Sequence, residues 1–259
     1  VVLVTGFALL SVGCGGDGGG GTGALSADAA ALRADLTGPG PYPVGVRNVP
    51  LTDLNRPDDA PSRGPRFVNT EVWYPAAESA RGGRTSSLTD YLPPSLRALG
   101  VLAGLVTDLE IPGVRDAPVA ATGGPFAVIG FSHGNTGLRV QNYTMAAHLA
   151  SHGFVVFAPD HIGNAVFAQR ADGSTVFFES AYRADTLADR VADMRFLMDQ
   201  MEGFARPGSG SFLAGRIDTD RGFGISGHSF GGLTSIVTAD QDARVVAVMP
   251  LAASNLEGI

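Results

Sequence analysis

The rhythm of polar and apolar positions changes several times along this chain. Over residues 43–51, apolar residues alternate with others, the period of a half-buried strand. Residues 66–74, with Phe67, Val68, Val72 and Trp73, read as its antiparallel partner, closed by Pro75. Residues 126–131, 154–159 and 245–251 are short continuous apolar runs, as in strands buried on both faces. Residues 222–227 form one more predicted strand. Residues 138–149, 185–201 and 230–239 have helical spacing; in the second, Leu187, Val191, Met194, Phe196 and Leu197 form one apolar stripe. Strands alternating with helices predict an α/β fold, with a mostly parallel sheet and helices on both faces. The stretch 76–122 resists assignment. Within it, 88–109 is apolar without a clean period and fits either a short helix over the site or packing against the sheet edge. There is no internal repeat.

The start of the chain has another character. Residues 1–12 are apolar but too short to span a bilayer comfortably. Small residues follow, then Cys14, then a tail of glycines around Asp17. This is the signal-segment pattern, and a lone cysteine at its end resembles a bacterial lipobox. That resemblance implies lipidation at Cys14 and export, with the domain held off the membrane by a flexible tail. Two features depart from it: Ser11 stands where a leucine is usual, and no basic segment precedes the apolar run. The alternative is a buried strand followed by a loop. The expected organisation is a signal segment at 1–14, a linker at 15–40 and an α/β domain at 41–259. Gly38-Pro39-Gly40-Pro41 breaks the chain near that boundary.

Composition narrows the function classes. With 44% hydrophobic and 17% charged residues, 259 positions suit one large globular domain. The net charge of −7, with no cluster of Lys and Arg, argues against a nucleic-acid partner. Cys14 is the only cysteine, which excludes an intrachain disulfide. No histidine and carboxylate pair has metal-ligand spacing.

The chemistry centres on two copies of one pattern, G-x-S-x-G. They are Gly130-Phe131-Ser132-His133-Gly134 and Gly227-His228-Ser229-Phe230-Gly231. With 36 glycines and 17 serines in the chain, chance alone supplies about 0.3 matches, so a bare match says little. Context separates the two. Ser229 passes at once into a helix, and Gly231-Gly232 lets that helix approach the strand, as a nucleophile elbow requires. Its side chain then sits at a helix N-terminus, which favours developing negative charge. After Ser132 comes a polar loop, Asn135-Thr136-Gly137, suited to presenting backbone N–H groups to a carbonyl oxygen. The expectation is that Ser229 attacks, while the N–H groups of Asn135 and Phe230 hold the oxyanion.

The segments Phe131-Ser132-His133-Gly134, Leu149-Ala150-Ser151-His152-Gly153-Phe154-Val155-Val156 and Gly227-His228-Ser229-Phe230-Gly231-Gly232 resemble one branch of the α/β-hydrolases. It contains the platelet-activating factor acetylhydrolases with the bacterial dienelactone hydrolase-like and polyester hydrolases. Glu71-Val72-Trp73-Tyr74-Pro75 and Asp218-Thr219-Asp220-Arg221 support the likeness. The resemblance implies an α/β-hydrolase fold and ester hydrolysis through Ser229. It also implies oxyanion N–H groups from Asn135 and Phe230, a small-molecule or lipid ester substrate, and no metal or organic cofactor. True dienelactone hydrolases use cysteine, so serine here favours ester hydrolysis.

One departure is large. A triad of this fold runs serine, acid, histidine along the chain, and no histidine follows Ser229. The acid expected at the end of the next strand is missing from Val248-Met249-Pro250-Leu251. Asp240, Asp242 and Glu257 read as a helix-end loop and a chain end. The expectation is therefore an incomplete sequence, lacking the strands that carry acid and base. The remaining histidines have quieter readings. His228 packs beside the turn, His133 orders the oxyanion loop, and His148 and His152 face solvent or cap a helix. Asp160-His161 either lines the pocket or orders a loop by hydrogen bonds. Acyl transfer and peptide hydrolysis would use the same machinery. A non-catalytic lipoprotein that uses the fold as a binding module is the alternative from a different class.

Overall fold

The computed structural model describes residues 37–58, 64–98, 109–179 and 183–255. Cys14, the 15–36 stretch and Glu257 lie outside the described residues. The chain divides into two units, Val1–Thr37 and Gly38–Ile259, and the fold below is that of the second unit.

Among the described residues its sheet has eight strands. They are β1 (Val44–Pro57), β2 (Pro65–Pro75), β3 (Thr85–Ser87), β4 (Glu110–Arg115), β5 (Phe126–Ser132), β6 (Phe154–Pro159), β9 (Ile217–His228) and β10 (Val245–Leu251). A separate hairpin joins β7 (Phe167–Gln169) to β8 (Thr175–Phe177). The order in the large sheet is β10-β9-β5-β6-β2-β1-β4-β3. From β10 to β6 every neighbour is parallel, whereas β2 lies antiparallel to both β6 and β1. The α-helices among the described residues are α1 (Pro94–Ala98), α2 (Tyr143–Ser151), α3 (Arg183–Ala205) and α4 (Phe230–Gln241). This is the α/β-hydrolase architecture, a mixed and mostly parallel sheet with helices on both faces.

Strand alternation divides the core in two. On β6, Val155 and Phe157 face one cluster, while Val156 and Ala158 face the other. On β2, Val72 and Tyr74 join the first, and Trp73 joins the second. Met194, Leu197, Met198 and Met201 of α3 complete the first cluster. Ala146, Ala147 and Ala150 of α2 complete the second, their small side chains letting that helix sit close to the sheet.

Three neighbouring parallel strands end together. β5 ends at Ser132, β6 runs into Asp160-His161, and β9 runs into Ser229. The polar loops that follow them thus gather at the carboxyl edge of the sheet, where open α/β folds bind ligands.

The apolar run 245–251 forms a strand, but an exposed one: Val246 is 67% accessible and Met249 47%. It is the edge strand, paired only with β9 among the described residues. The helix expected over 138–149 starts at Tyr143, because the Asp160 carboxylate takes the Arg139 backbone N–H at 2.6 Å and Asn142 adopts a left-handed φ of 60°. In the ambiguous stretch, Ser87 and Asp90 form a reciprocal cap on a short 3-10 turn, followed by α1. Residues 99–108 lie outside the described residues. β3, β4 and the β7–β8 hairpin had no clear periodic signal, since strands of three to six residues carry few alternations.

Phe157 has no exposed surface and lies where α3 meets the sheet. Phe157→Ala is expected to lower unfolding free energy by about 3–5 kcal/mol in urea. Val246→Thr on the open strand should change it by less than about 0.5 kcal/mol. Equal effects from the two substitutions would contradict this placement of the core.

Candidate functional site

Ser229 occupies the turn between β9 and α4 with φ 53° and ψ −115°. A non-glycine residue held at positive φ costs on the order of 1–3 kcal/mol and persists only where its surroundings fix it. Here the Ser229 N–H donates to the Leu251 carbonyl at 2.8 Å, and the Ser229 carbonyl accepts from Leu233 and Ser254 at 3.2 and 3.1 Å. The flanking glycines have a steric reason. A Cβ on Gly227 would lie 2.2 Å from the Gly231 carbonyl oxygen; one on Gly231 would lie 1.9 Å from that of Ser132. Backbone therefore packs on backbone between the elbow and the 132–134 loop. No described residue hydrogen-bonds the Ser229 hydroxyl.

The same contact brings Asn135 and Phe230 into one neighbourhood. Gln141 ties the two segments together: its Oε1 accepts from the Gly134 N–H at 2.6 Å, and its Nε2 lies 3.1 Å from His228 Nδ1. Asn164 anchors the loop from the other side, donating to Asn135 Oδ1 at 2.6 Å and accepting from the Thr136 N–H at 3.0 Å. Among the described residues, no protein acceptor takes the backbone N–H of Asn135 or of Phe230. His228 is thus a neighbour of the turn that faces Gln141.

Ser132 lies beneath this surface in a continuous buried chain. Its Oγ is 2.9 Å from His161 Nε2, and His161 Nδ1 is 2.9 Å from Asp193 Oδ2. Ser132, His161, Asp193 and Arg190 have no exposed surface at all. Burial pushes the Asp193 carboxyl up, but the Arg66 guanidinium and hydrogen bonds from His161 and Arg66 outweigh it and hold it well below the usual range. Asp193 is therefore an acceptor, His161 Nδ1 carries the proton, and Nε2 accepts from the Ser132 hydroxyl. Burial and the nearby Arg190 push His161 down to about 3, so its ring is neutral. His133 is neutral for similar reasons. Its Nδ1 donates to the Gly134 carbonyl at 2.6 Å, and its Nε2 accepts from the His161 N–H at 3.1 Å.

Asp160 and His161 thus point opposite ways, and both order loops. Asp160 grips Arg139, which also reaches the buried Glu71 at 3.3 Å. Glu71 takes Arg115 at 3.0 Å and the Tyr91 hydroxyl at 3.1 Å. His152 Nε2 meets the Gly38 carbonyl at 3.1 Å, and the His148 ring lies tilted against His152, with centroids 4.6 Å apart and planes at 56°. Asp242 closes the end of α4 with Arg244 and Arg195, and Asp240 is exposed on the same helix. None of these residues approaches Ser229 by a hydrogen bond. Among the described residues, no group of three His, Cys, Asp or Glu side chains is arranged to hold a metal ion.

The platelet-activating factor acetylhydrolase isoform II family matches residues 38–180, more than half of the chain. The chain belongs to that family. The matched segment contains the 132–135 loop and Asp160-His161 but ends before the elbow. A platelet-activating factor acetylhydrolase from Cavia porcellus is 28% identical over 80% of this chain and 52% of its own length. A ferulic acid esterase from Streptomyces cinnamoneus superposes with a TM-score of 0.64 at 25% identity, over 81% of this chain and 59% of that one. The chain therefore spans little more than half the length of these relatives, both named for ester-cleaving activities.

Sequence reasoning missed Arg190, Asp193, Arg66, Gln141 and Asn164. A signal was available for two of them. Arg190 and Asp193 fall within the turn spacing of Leu187, Val191, Met194 and Leu197, so charges stand on the stripe that faces the protein interior. Arg66 and Asn164 are brought in only by the fold.

The neutral His161 makes stability depend on pH. The unfolded chain takes up a proton near pH 6.5, while the folded one resists until about 3. Over that window the unfolded state binds more protons, so the contribution is complete above 6.5 and is lost as pH falls. From pH 7.5 to 5.0, His161 alone should remove on the order of 2 kcal/mol of unfolding free energy, at about 1.4 kcal/mol per pH unit below 6.5. Urea titrations at the two pH values test this, and His161→Gln should flatten the slope. A wild-type protein equally stable at both would refute the assignment.

Proposed function

We propose that this chain carries the nucleophile and oxyanion half of a serine carboxylic-ester hydrolase, with Ser229 forming the acyl-enzyme. The observation that carries the reading is the geometry of Ser229: a serine at positive φ, on the turn from β9 into α4, squeezed against the 132–134 loop. A strained strand-to-helix turn exposes a hydroxyl above the sheet edge and leaves helix N–H groups free beside it. The named activities of the two relatives support the same reading.

In the proposed sequence, a general base takes the Ser229 proton as Oγ attacks the ester carbonyl carbon. The carbonyl oxygen becomes an oxyanion held by the Asn135 and Phe230 N–H groups. The alkoxide leaving group departs with the proton returned by the base. Water then attacks the acyl-enzyme by the same route, releasing the acid and restoring Ser229. The five histidines of the chain are committed elsewhere or lack contact with Ser229, so in this reading the base is none of them. No metal or organic cofactor enters the scheme. The substrate class is a small-molecule or lipid ester.

The direct test compares p-nitrophenyl ester hydrolysis by the full-length gene product and its Ser229→Ala variant. Loss of Ser229 should lower kcat/KM by roughly 10³-fold or more. Indistinguishable rates would remove Ser229 from the chemistry and favour a non-catalytic binding module.

We further propose that the chain is exported and anchored through a lipid on Cys14. In cells fed a radiolabelled fatty acid, wild-type protein should take up label and partition with membranes. Cys14→Ala should do neither. Label retained in that variant would exclude the anchor.

A further inference from the structure

Arg190 is a buried cation with an unusual set of partners. Its guanidinium has no exposed surface and makes no direct ion pair among the described residues, because Asp193, one turn further along α3, is taken by Arg56, Arg66 and His161. Its hydrogen bonds go to four neutral acceptors. Nε donates to Thr234 Oγ1 at 3.0 Å, and Nη2 donates to Ser132 Oγ at 2.9 Å and to the His133 carbonyl. Nη1 donates to Asn164 Oδ1. The guanidinium carbon also lies 4.8 Å from the centre of the Phe230 ring.

These partners belong to two segments with one thing in common. Ser132, His133 and Asn164 set the loop that carries Asn135, Asn164 by a direct hydrogen bond to its side chain. Phe230 and Thr234 are one turn apart on α4, at its N-terminus. A single planar, rigid fork thus fastens the segments bearing both free N–H groups. Lysine could not do this, since it offers one point charge where four acceptors need fixed directions. Burying a charge without a carboxylate in contact is costly, and packing alone would be better served by methionine or leucine.

We infer that Arg190 is a positioning residue for the oxyanion hole: it sets the distance and aim of the Asn135 and Phe230 N–H groups, and its charge lies beneath the point where negative charge develops. The inference rests on the esterase reading above. Donors must hold their aim on the oxyanion to within a few tenths of an ångström, and small misplacements are expensive. The Ser132–His161–Asp193 chain serves the same end. Asp193 accepts from Arg56, Arg66 and His161, so it does not draw Arg190 away, and His161 fixes the Ser132 hydroxyl so that its oxygen faces Arg190.

The test uses the full-length gene product, with active sites counted by fluorophosphonate labelling and folding followed by thermal melting. Three quantities are read for a p-nitrophenyl ester: kcat per labelled site, KM, and inhibition by a trifluoromethyl ketone, whose hemiketal oxygen mimics the oxyanion. Arg190→Met should lower kcat by about 100-fold with KM within about threefold, and weaken the ketone by a similar factor. Arg190→Lys should recover part of this. Asn164→Ala leaves Arg190 in place, cuts its link to Asn135, and should lower kcat about tenfold; it decides the matter if Arg190→Met does not fold. Ser229-dependent hydrolysis with kcat per site unchanged in the folded variants would overturn the role alone. So would losses in KM and kcat alike with ketone inhibition unaltered, the pattern of a merely structural residue. A wild-type protein without Ser229-dependent hydrolysis would remove the esterase reading and this role with it.

Discussion

The approach of the Ser132 carbonyl to Gly231 leaves no room for a side chain: a Cβ there would lie 1.9 Å from the oxygen. Much of the site is arranged around that contact. It requires glycine at 227 and 231, it ties the end of β9 to the end of β5, and it fixes the height at which Ser229 stands above the sheet. Adjacent parallel strands alone would bring these loops within reach of one another. The direct backbone contact converts proximity into a defined geometry, because a carbonyl against an α-carbon cannot slide or repack as side chains do.

Holding two loops in such contact needs support from beneath, and the support is electrostatic. Asp193 is reached by the buried Arg66 at 2.8 Å and His161 at 2.9 Å, and by the partly exposed Arg56 at 2.6 Å. A buried ion pair is weak evidence for stability, because desolvation can exceed the attraction. Its value here is directional. Arg56 and Arg66 come from the β1–β2 hairpin, Asp193 and Arg190 from α3, His161 from the end of β6, and Ser132 from the end of β5. Shifting any one of these elements would leave a buried charge or donor unpaired. The network therefore penalises alternative packings more than it rewards the native one.

Much of this was legible in the chain itself. The parallel strands β5, β6 and β9 and the helices α3 and α4 appear as runs and periods because each is long enough to repeat its pattern. The elbow was legible because its chemistry is local: a turn this tight needs glycine at fixed offsets, and a helix must follow at once. The brace was not, since it joins residues 66, 132, 161, 164, 190 and 193, and nothing in their local patterns says that they meet. β10 shows a different limit. Its composition reads as a buried strand, but burial depends on what lies beside it. At the sheet edge the same residues stand exposed.

Ser132, His161 and Asp193 have the connectivity of a catalytic triad, and three of their features count against a catalytic role in the proposed reading. None of the three has exposed surface, so an ester carbonyl has no path to Ser132 Oγ. Its hydroxyl is also engaged twice, donating to His161 and accepting from Arg190, each at 2.9 Å, so that only one oxygen lone pair is left unused. Finally, a triad histidine must accept a proton near neutral pH, whereas burial and Arg190 hold His161 down to about 3. Ser229 differs on the first two counts: it is half-buried rather than sealed, and its hydroxyl has no partner among the described residues. Hydrogen-bond geometry alone would point to Ser132 rather than to the proposed nucleophile. Solvent access and an unengaged hydroxyl are what favour Ser229 over Ser132 in the proposed reading.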